Sequence, residues 1–224
     1  MSKFLLVGTR HAMSSEVHSE ALMTTEQMNL FGTRVGSRIT DDSLLLVEGV
    51  WRDTLLERGA PEYRYELGTF ARVLGTSKPS LGFFDPREKD AKYHLAMYRR
   101  WAECFDRLFR LSDRPVNVGE TLDLIRAQTY QIEMLGRPSR ADLDVARAID
   151  KANRDFNRSY IQAMKRYASR HDFVVLVSGA AHSIAISLHT GWPLELLFGP
   201  ESGEFVYQGY VGTQVCPALI LKAL

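Results

Sequence analysis

Cysteine is nearly missing from this 224-residue chain, which carries only Cys104 and Cys216. The two are far apart and outside any metal-ligand spacing, which excludes a disulfide-stapled scaffold and a cysteine zinc site. Long apolar runs are missing too. The longest near the start, Phe4-Leu5-Leu6-Val7, falls far short of a signal-peptide core or a membrane span. No membrane partner is therefore expected, and the cytosol is the expected compartment. Nor is there an excess of either charge. With 28 Lys+Arg against 27 Asp+Glu the formal net charge is +1, which argues against nucleic acid held on a broadly basic face. Internal repeats and low-complexity segments do not occur. Histidine is scarce, with six in all, yet His11 and His182 close similar short motifs near opposite ends of the chain.

Hydrophobic residues at 45 % and charged residues at 25 % are ordinary for a globular protein, and the length suffices for a sizeable core. Lys3 to Val7, ended by Gly8, reads as a buried strand. Ser14 or Ser15 is positioned to cap a helix that keeps its period through Met28, Phe31, Val35 and Ile39 to Thr40. Ser43 to Glu48 is a second buried strand with a carboxylate at its C-terminal end. Ser80 to Phe84 is a third, and Asp85-Pro86 after it is a good helix start. From Pro86 to about Arg170 the pattern is almost wholly helical, with Tyr93, Met97, Trp101, Phe105 and Phe109 at i, i+4 spacing. A helix from Glu120 to Met134 ends at Gly136-Arg137-Pro138. Ser139 and Asp142 then form a capping box for a third helix, reaching about Ala168. Asp172 to Val177 is the clearest strand, followed by a helix from Ala180 to Thr190. Leu194–Phe198, Phe205–Tyr207 and Ala218–Leu221 are weaker strand candidates.

Strand–helix alternation at both ends predicts an α/β protein with a mixed, mostly parallel central sheet flanked by helices. No flexible linker bounds the middle, so residues 1–224 read as one domain with a helical insertion over 86–170, a candidate lid.

Gly8-Thr9-Arg10-His11 follows the first strand, and Gly179-Ala180-Ala181-His182 follows the strand ending at Val177. In each, a glycine at the strand exit lets the backbone turn tightly or approach a ligand closely. In each, the histidine stands at the carboxyl edge of the sheet, where open α/β folds build their sites. If the two strands are neighbours, both imidazoles face one crevice. Glu48 and Asp85 end two further strands at the same edge. Two histidines and two carboxylates there suit hydrolytic or metal-binding chemistry. His18 and His189 read as surface or core residues within helices, and His94 and His171 have no partner pattern.

These four strand ends, in this order along most of the chain, resemble the TraB/Tiki/ChaN/erythromycin-esterase superfamily. The resemblance rests on Gly8 to His11, Glu48 in Leu46-Val47-Glu48-Gly49, Asp85 in Phe83-Phe84-Asp85, and Gly179 to His182. It implies a pocket on an α/β core lined by His11, Glu48 and His182. It also implies activities ranging from divalent-metal peptidases and macrolide esterases to haem binding. An Arg/Asn-bearing helix before the last strand is a further family trait, and Asn153-Arg154-Asp155-Phe156-Asn157-Arg158 occupies that place, with Arg154 and Arg158 as candidates. Esterase-like members carry a glutamate after the first glycine, where Thr9-Arg10 stands here. A guanidinium at Arg10 suits an anionic substrate group instead.

Thr9-Arg10-His11 also resembles the Arg-His-Gly motif of histidine phosphatases, which would make His11 the phosphorylated residue with Arg10 and Arg52 or another arginine on the phosphate. In that family the second histidine directly follows the serine of its strand, where Gly179 stands here. Val47-Glu48-Gly49 also replaces the expected Ser-x-x-x-Arg-Ala.

The sequence thus leads to a hydrolase of amide or ester bonds in a small-molecule or peptide substrate. His11, Glu48 and His182 are its catalytic residues, holding one divalent metal ion or orienting water directly. Arg10, Asp85, Arg154 and Arg158 would bind substrate, and Gly8 and Gly179 would turn the backbone. The alternatives are a phosphomonoester hydrolase using His11 and a ChaN-type module binding haem. A homo-oligomer is compatible with all three.

Overall fold

The computed structural model describes residues 3–9, 12–13, 20–21, 25–48, 74–75, 77–84, 90, 93–94, 96–97, 100–101, 103–104, 107–108, 132–133, 136–197, 204–207 and 210–213. The chain divides into two compact units, one of Met1–Glu88 with Asn157–Phe198, the other of Lys89–Phe156 with Gly199–Leu224.

The first unit is built on five strands: β1 (Phe4–Thr9), β4 (Ser43–Glu48), β5 (Ser80–Phe84), β6 (Phe173–Gly179) and β7 (Leu194–Leu196). Their order is β5-β4-β6-β1-β7, and every pairing is parallel. Among the described residues the central sheet is parallel throughout, within the expected mostly parallel α/β architecture. Among the described residues antiparallel pairing occurs in two small ladders, β2 (Ala12–Met13) with β3 (Glu20–Ala21), and β8 (Glu204–Tyr207) with β9 (Tyr210–Thr213). Near-continuous apolar runs such as Leu-Leu-Leu-Val and Val-Val-Leu-Val match the expected composition of parallel strands covered on both faces. Alternation along the strands sorts the faces. Leu5, Val7, Leu45, Val47, Val175 and Val177 pack with Met28, Phe31, Val35 and Ile39 of the α1 region. On the other face Ser178 bonds Ser183 of α3, and Phe84 meets Tyr160 of α2 edge-on.

Helix α1 spans Thr25–Arg34, followed by a short 3₁₀ turn over Gly36–Arg38. Residues 14–19 of the expected helix from Ser15 lie outside the described residues, and Glu20 and Ala21 after them are strand. Those two residues, β3, pair with β2. His18 lies outside the described residues. Helix α2 (Arg140–Tyr167) starts on the expected capping box: Asp142 Oδ2 accepts the Ser139 N–H at 2.8 Å, and Ser139 Oγ accepts the Asp142 N–H at 3.3 Å. Helix α3 (Ala180–Thr190) ends where Gly191 adopts φ 70°, a left-handed cap that glycine takes without strain.

In the second unit, Tyr93, Met97, Trp101, Cys104 and Leu108 are helical. The buried members are Met97, Trp101, Cys104 and Leu108, while Tyr93 is 63 % exposed. Strict four-residue steps drift around a helix, whereas alternating steps of four and three stay on one face. Phe105, Phe109, residues 111–131 and Ala218–Leu221 lie outside the described residues. No helix among the described residues is long and apolar enough to cross a membrane.

Candidate functional site at the carboxyl edge of the sheet

Strand register brings the strand ends named above to one edge. Glu48 of β4 is level with Phe84 of β5, Val47 with Val177 of β6, and Thr9 of β1 with Gly179 of β6. Strands β1 and β6 are neighbours, which meets the condition set by the two Gly-x-x-His motifs. Strand β6 lies between β1 and β4, so His182 leaves the sheet between the Gly8 motif and Glu48. From β4 the chain continues to β5 on one side, and from β6 to β7 on the other. Such a divergence marks the crevice where open parallel sheets place their ligands.

Glu48 is 3 % exposed, and its Oε2 accepts the Gly179 N–H at 2.7 Å. Its Oε1 stands 4.0 Å from Nε2 of His182. That separation exceeds a hydrogen bond and fits an ion pair once the ring is protonated. His182 is the third residue of α3, and its Nδ1 lies 2.8 Å from Asn157 Oδ1 on α2. An amide oxygen only accepts, so Nδ1 carries the hydrogen and Nε2 is the nitrogen turned toward Glu48. The Tyr160 ring, one helical turn beyond Asn157, lies 5.7 Å from the imidazole and contacts Phe84 at 5.6 Å.

The turn that carries His182 is fastened on both sides. From β4 comes the Glu48 carboxylate. From β1, Thr9 Oγ1 donates to the Ser178 carbonyl at 3.2 Å. Ser183 Oγ donates to the Val7 carbonyl at 3.0 Å and lies 2.8 Å from Ser178 Oγ. Gly8 is closely packed: a Cβ there would stand 2.6 Å from Leu196 Cδ2 and 3.2 Å from the Ala180 Cα. Its bareness seats α3 closely on β1 rather than making a turn. Gly179 has φ −51° and ψ 138°, which any residue adopts, so its backbone donor and not its freedom is what the site uses.

Of the expected site residues, Glu48 and His182 come together, and Gly8 and Gly179 frame them. Arg154 and Arg158 have exposed side chains on α2. The side chain that α2 brings to His182 is Asn157, which the sequence reading passed over for its charged neighbours. The signal was its place on the face of Phe156, Tyr160 and Met164, all buried. Arg10, His11, Arg52 and Asp85 lie outside the described residues. Among the other histidines, His94 packs edge-on between Tyr93 and Phe156, and His171 Nδ1 meets the Asp42 carbonyl at 3.3 Å. His189 is exposed.

Among the described residues no group of three or more His, Cys, Asp or Glu is placed to hold a metal ion. Glu48 and His182 supply two donors of the right type, an oxygen and an imidazole whose other nitrogen is already oriented. Compared with protein-family models, curated proteins and solved structures, the chain gives no match.

Proposed function

We propose that the protein is a hydrolase of amide or ester bonds of the Tiki/TraB/erythromycin-esterase type, working at Glu48 and His182 with His11 from the neighbouring strand end. The observation that carries this reading is the buried Glu48 carboxylate facing Nε2 of His182 at 4.0 Å, at the divergence between β4 and β6. A buried carboxylate is costly unless it is compensated, and here it is retained beside a histidine whose far nitrogen is already held.

In the proposed reaction, Nε2 of His182 takes the proton from a water as that water attacks the substrate carbonyl. Glu48 stabilises the imidazolium that forms, and Asn157 keeps Nδ1 protonated throughout, so only Nε2 exchanges a proton. The proton then passes from Nε2 to the departing amine or alcohol. A divalent ion, if bound, would be held by Glu48, Nε2 of His182 and His11, and would supply a more acidic water in place of proton removal by His182. Arg10 and Asp85, with Arg154 and Arg158 on α2, are the side chains proposed to meet the substrate's polar groups.

The test is hydrolysis of a p-nitrophenyl acetate probe and a fluorogenic peptide library, with and without added divalent ions, by wild type, His11→Ala and His182→Ala. The expected result is loss of about 10²–10⁴-fold in rate for each variant at a nearly unchanged Tm. Full hydrolysis by His182→Ala would overturn the assignment. Cleavage of an aryl phosphate without metal, with phosphate trapped on His11, would replace it with the phosphatase reading.

A further inference from the structure

Behind His182 lies a chain of hydroxyl groups that the proposed chemistry does not use. Thr9, Ser178 and Ser183 are each 1 % exposed or less. Ser183 has a single hydroxyl hydrogen, and it goes to the Val7 carbonyl at 3.0 Å. The 2.8 Å contact between Ser178 and Ser183 is therefore donated by Ser178. Thr9 closes the set by donating to the Ser178 backbone carbonyl. Ser178 and Ser183 meet in the buried seam between β6 and α3, where apolar side chains would pack at lower desolvation cost. The hydroxyl chain ties the first turn of α3 to β1 at Ser183, directly after His182, while Glu48 ties the strand exit to β4 through Gly179.

We infer that Ser183, acting through its bonds to Val7 and Ser178, is a positioning residue that holds the His182 ring with Nδ1 on Asn157 and Nε2 toward Glu48. This rests on the reading of His182 as the working base. Without this tie the first turn of α3 loses its side-chain bond to β1, and the imidazole then samples rotations in which Nδ1 leaves Asn157. A shift of about 1 Å at a reacting group costs about a hundredfold in rate, so small loosening is enough to matter.

The experiment follows the ring directly by ¹⁵N imidazole NMR on the full chain, which needs no substrate. In wild type the His182 resonances should report one neutral tautomer with hydrogen on Nδ1. Ser183→Ala should give a mixture of tautomers, and Ser183→Thr, which restores a hydroxyl, should return it toward wild type. Ser183→Ala strands the Ser178 hydroxyl, so the double variant Ser178→Ala/Ser183→Ala, which removes both partners, is measured beside it. It should fold and show the same mixture. On the ester probe, kcat should fall about tenfold with KM little changed. A single wild-type tautomer in the double variant would overturn the proposal and leave the hydroxyls as fold-stabilising groups only. A tautomer mixture with no hydrolysis by the wild type would instead uphold the placement of His182 and remove the hydrolase reading.

Discussion

Two buried carboxylates, one in each compact unit, have opposite surroundings. Asp142, at the start of α2, is enclosed by short contacts: the Ser139 N–H, the Arg107 guanidinium and the Cys104 thiol. Glu48, at the end of β4, spends one oxygen on the Gly179 N–H and turns the other toward an imidazole at 4.0 Å. Asp142 is 7 % exposed and Glu48 3 %, so burial does not separate them. The difference lies in what each carboxylate faces. Asp142 meets donors that are permanently charged or hydrogen-bearing, and its protonation has one favoured state. Glu48 instead faces an imidazole nitrogen at ion-pair distance. On the function proposed above, Asp142 is the structural carboxylate and Glu48 the working one.

The largest effect expected from this contrast is at Glu48. Glu48→Gln keeps an oxygen for the Gly179 N–H but removes the charge opposite Nε2, so hydrolysis of the ester probe should drop about 10³-fold with the Tm nearly unchanged. Glu48→Ala should lose the same activity and also about 1–3 kcal/mol of stability, because a buried N–H loses its acceptor. Equal melting curves for the two variants would show that the bond to Gly179 is not what holds the strand exit. Next in size is Asn157→Ala. Removing the partner of a working imidazole's second nitrogen costs about 10–100-fold in activity, and Asn157→Asp should recover part of it by again accepting from Nδ1. An unaffected rate in Asn157→Ala would separate α2 from the site.

How much of this was legible in the sequence depended on whether a residue's neighbours in the chain announce its surroundings in space. Glu48 and His182 were legible because each ends or follows an unbroken apolar run, and parallel strands put such ends on one edge whatever their order. The α2 capping box was legible because its two members are three residues apart and bond each other. Asn157 was not, because its partner is 25 residues away and its neighbours Arg154 and Arg158 carry the more conspicuous chemistry. The hydroxyl chain was still less so: Ser183 meets Val7 across 176 residues, a contact that only the insertion of β6 between β1 and β4 creates. In the second unit the i, i+4 series found a helix in which Met97 and Trp101 are buried and Tyr93 is exposed, while Cys104 and Leu108, which it did not include, are buried as well.

The third expected effect is confined to the closed cluster. Asp142→Ala removes the cap of α2 together with the acceptor for Arg107, and should cost about 1–2 kcal/mol by chemical denaturation. The ester probe should be hydrolysed at the wild-type rate, since neither Glu48 nor His182 is touched. Burial pushes the Cys104 thiol up to about 11, with Asp142 adding to the rise, so Cys104 stays protonated and unreactive at neutral pH. Thiol-reactive probes should label it only after unfolding. A native-state reaction at Cys104 would mean that the cluster opens.

The smallest effect is the pH dependence of that cluster, and its sign follows from the direction of the shift. Burial raises the Asp142 carboxyl, but the Ser139 N–H and hydroxyl, Arg107 and Cys104 outweigh it and hold the group down at about 2, against an ordinary value of 3.8. The folded state therefore keeps Asp142 ionised where the unfolded chain has begun to take up a proton. Its contribution is fully present above the unfolded value and fades as pH falls from about 4 toward 2. The Tm of wild type should fall through that window more steeply than that of Asp142→Asn, which has no carboxyl to titrate there. Raising the salt concentration should narrow the gap between the two curves only in part. Salt weakens the Arg107 contact at the exposed guanidinium, while the Ser139 N–H bond is short and shielded from it. Parallel curves for the two proteins would show that Asp142 is not ionised preferentially in the folded state, and the contrast between the two carboxylates would then rest on Glu48 alone.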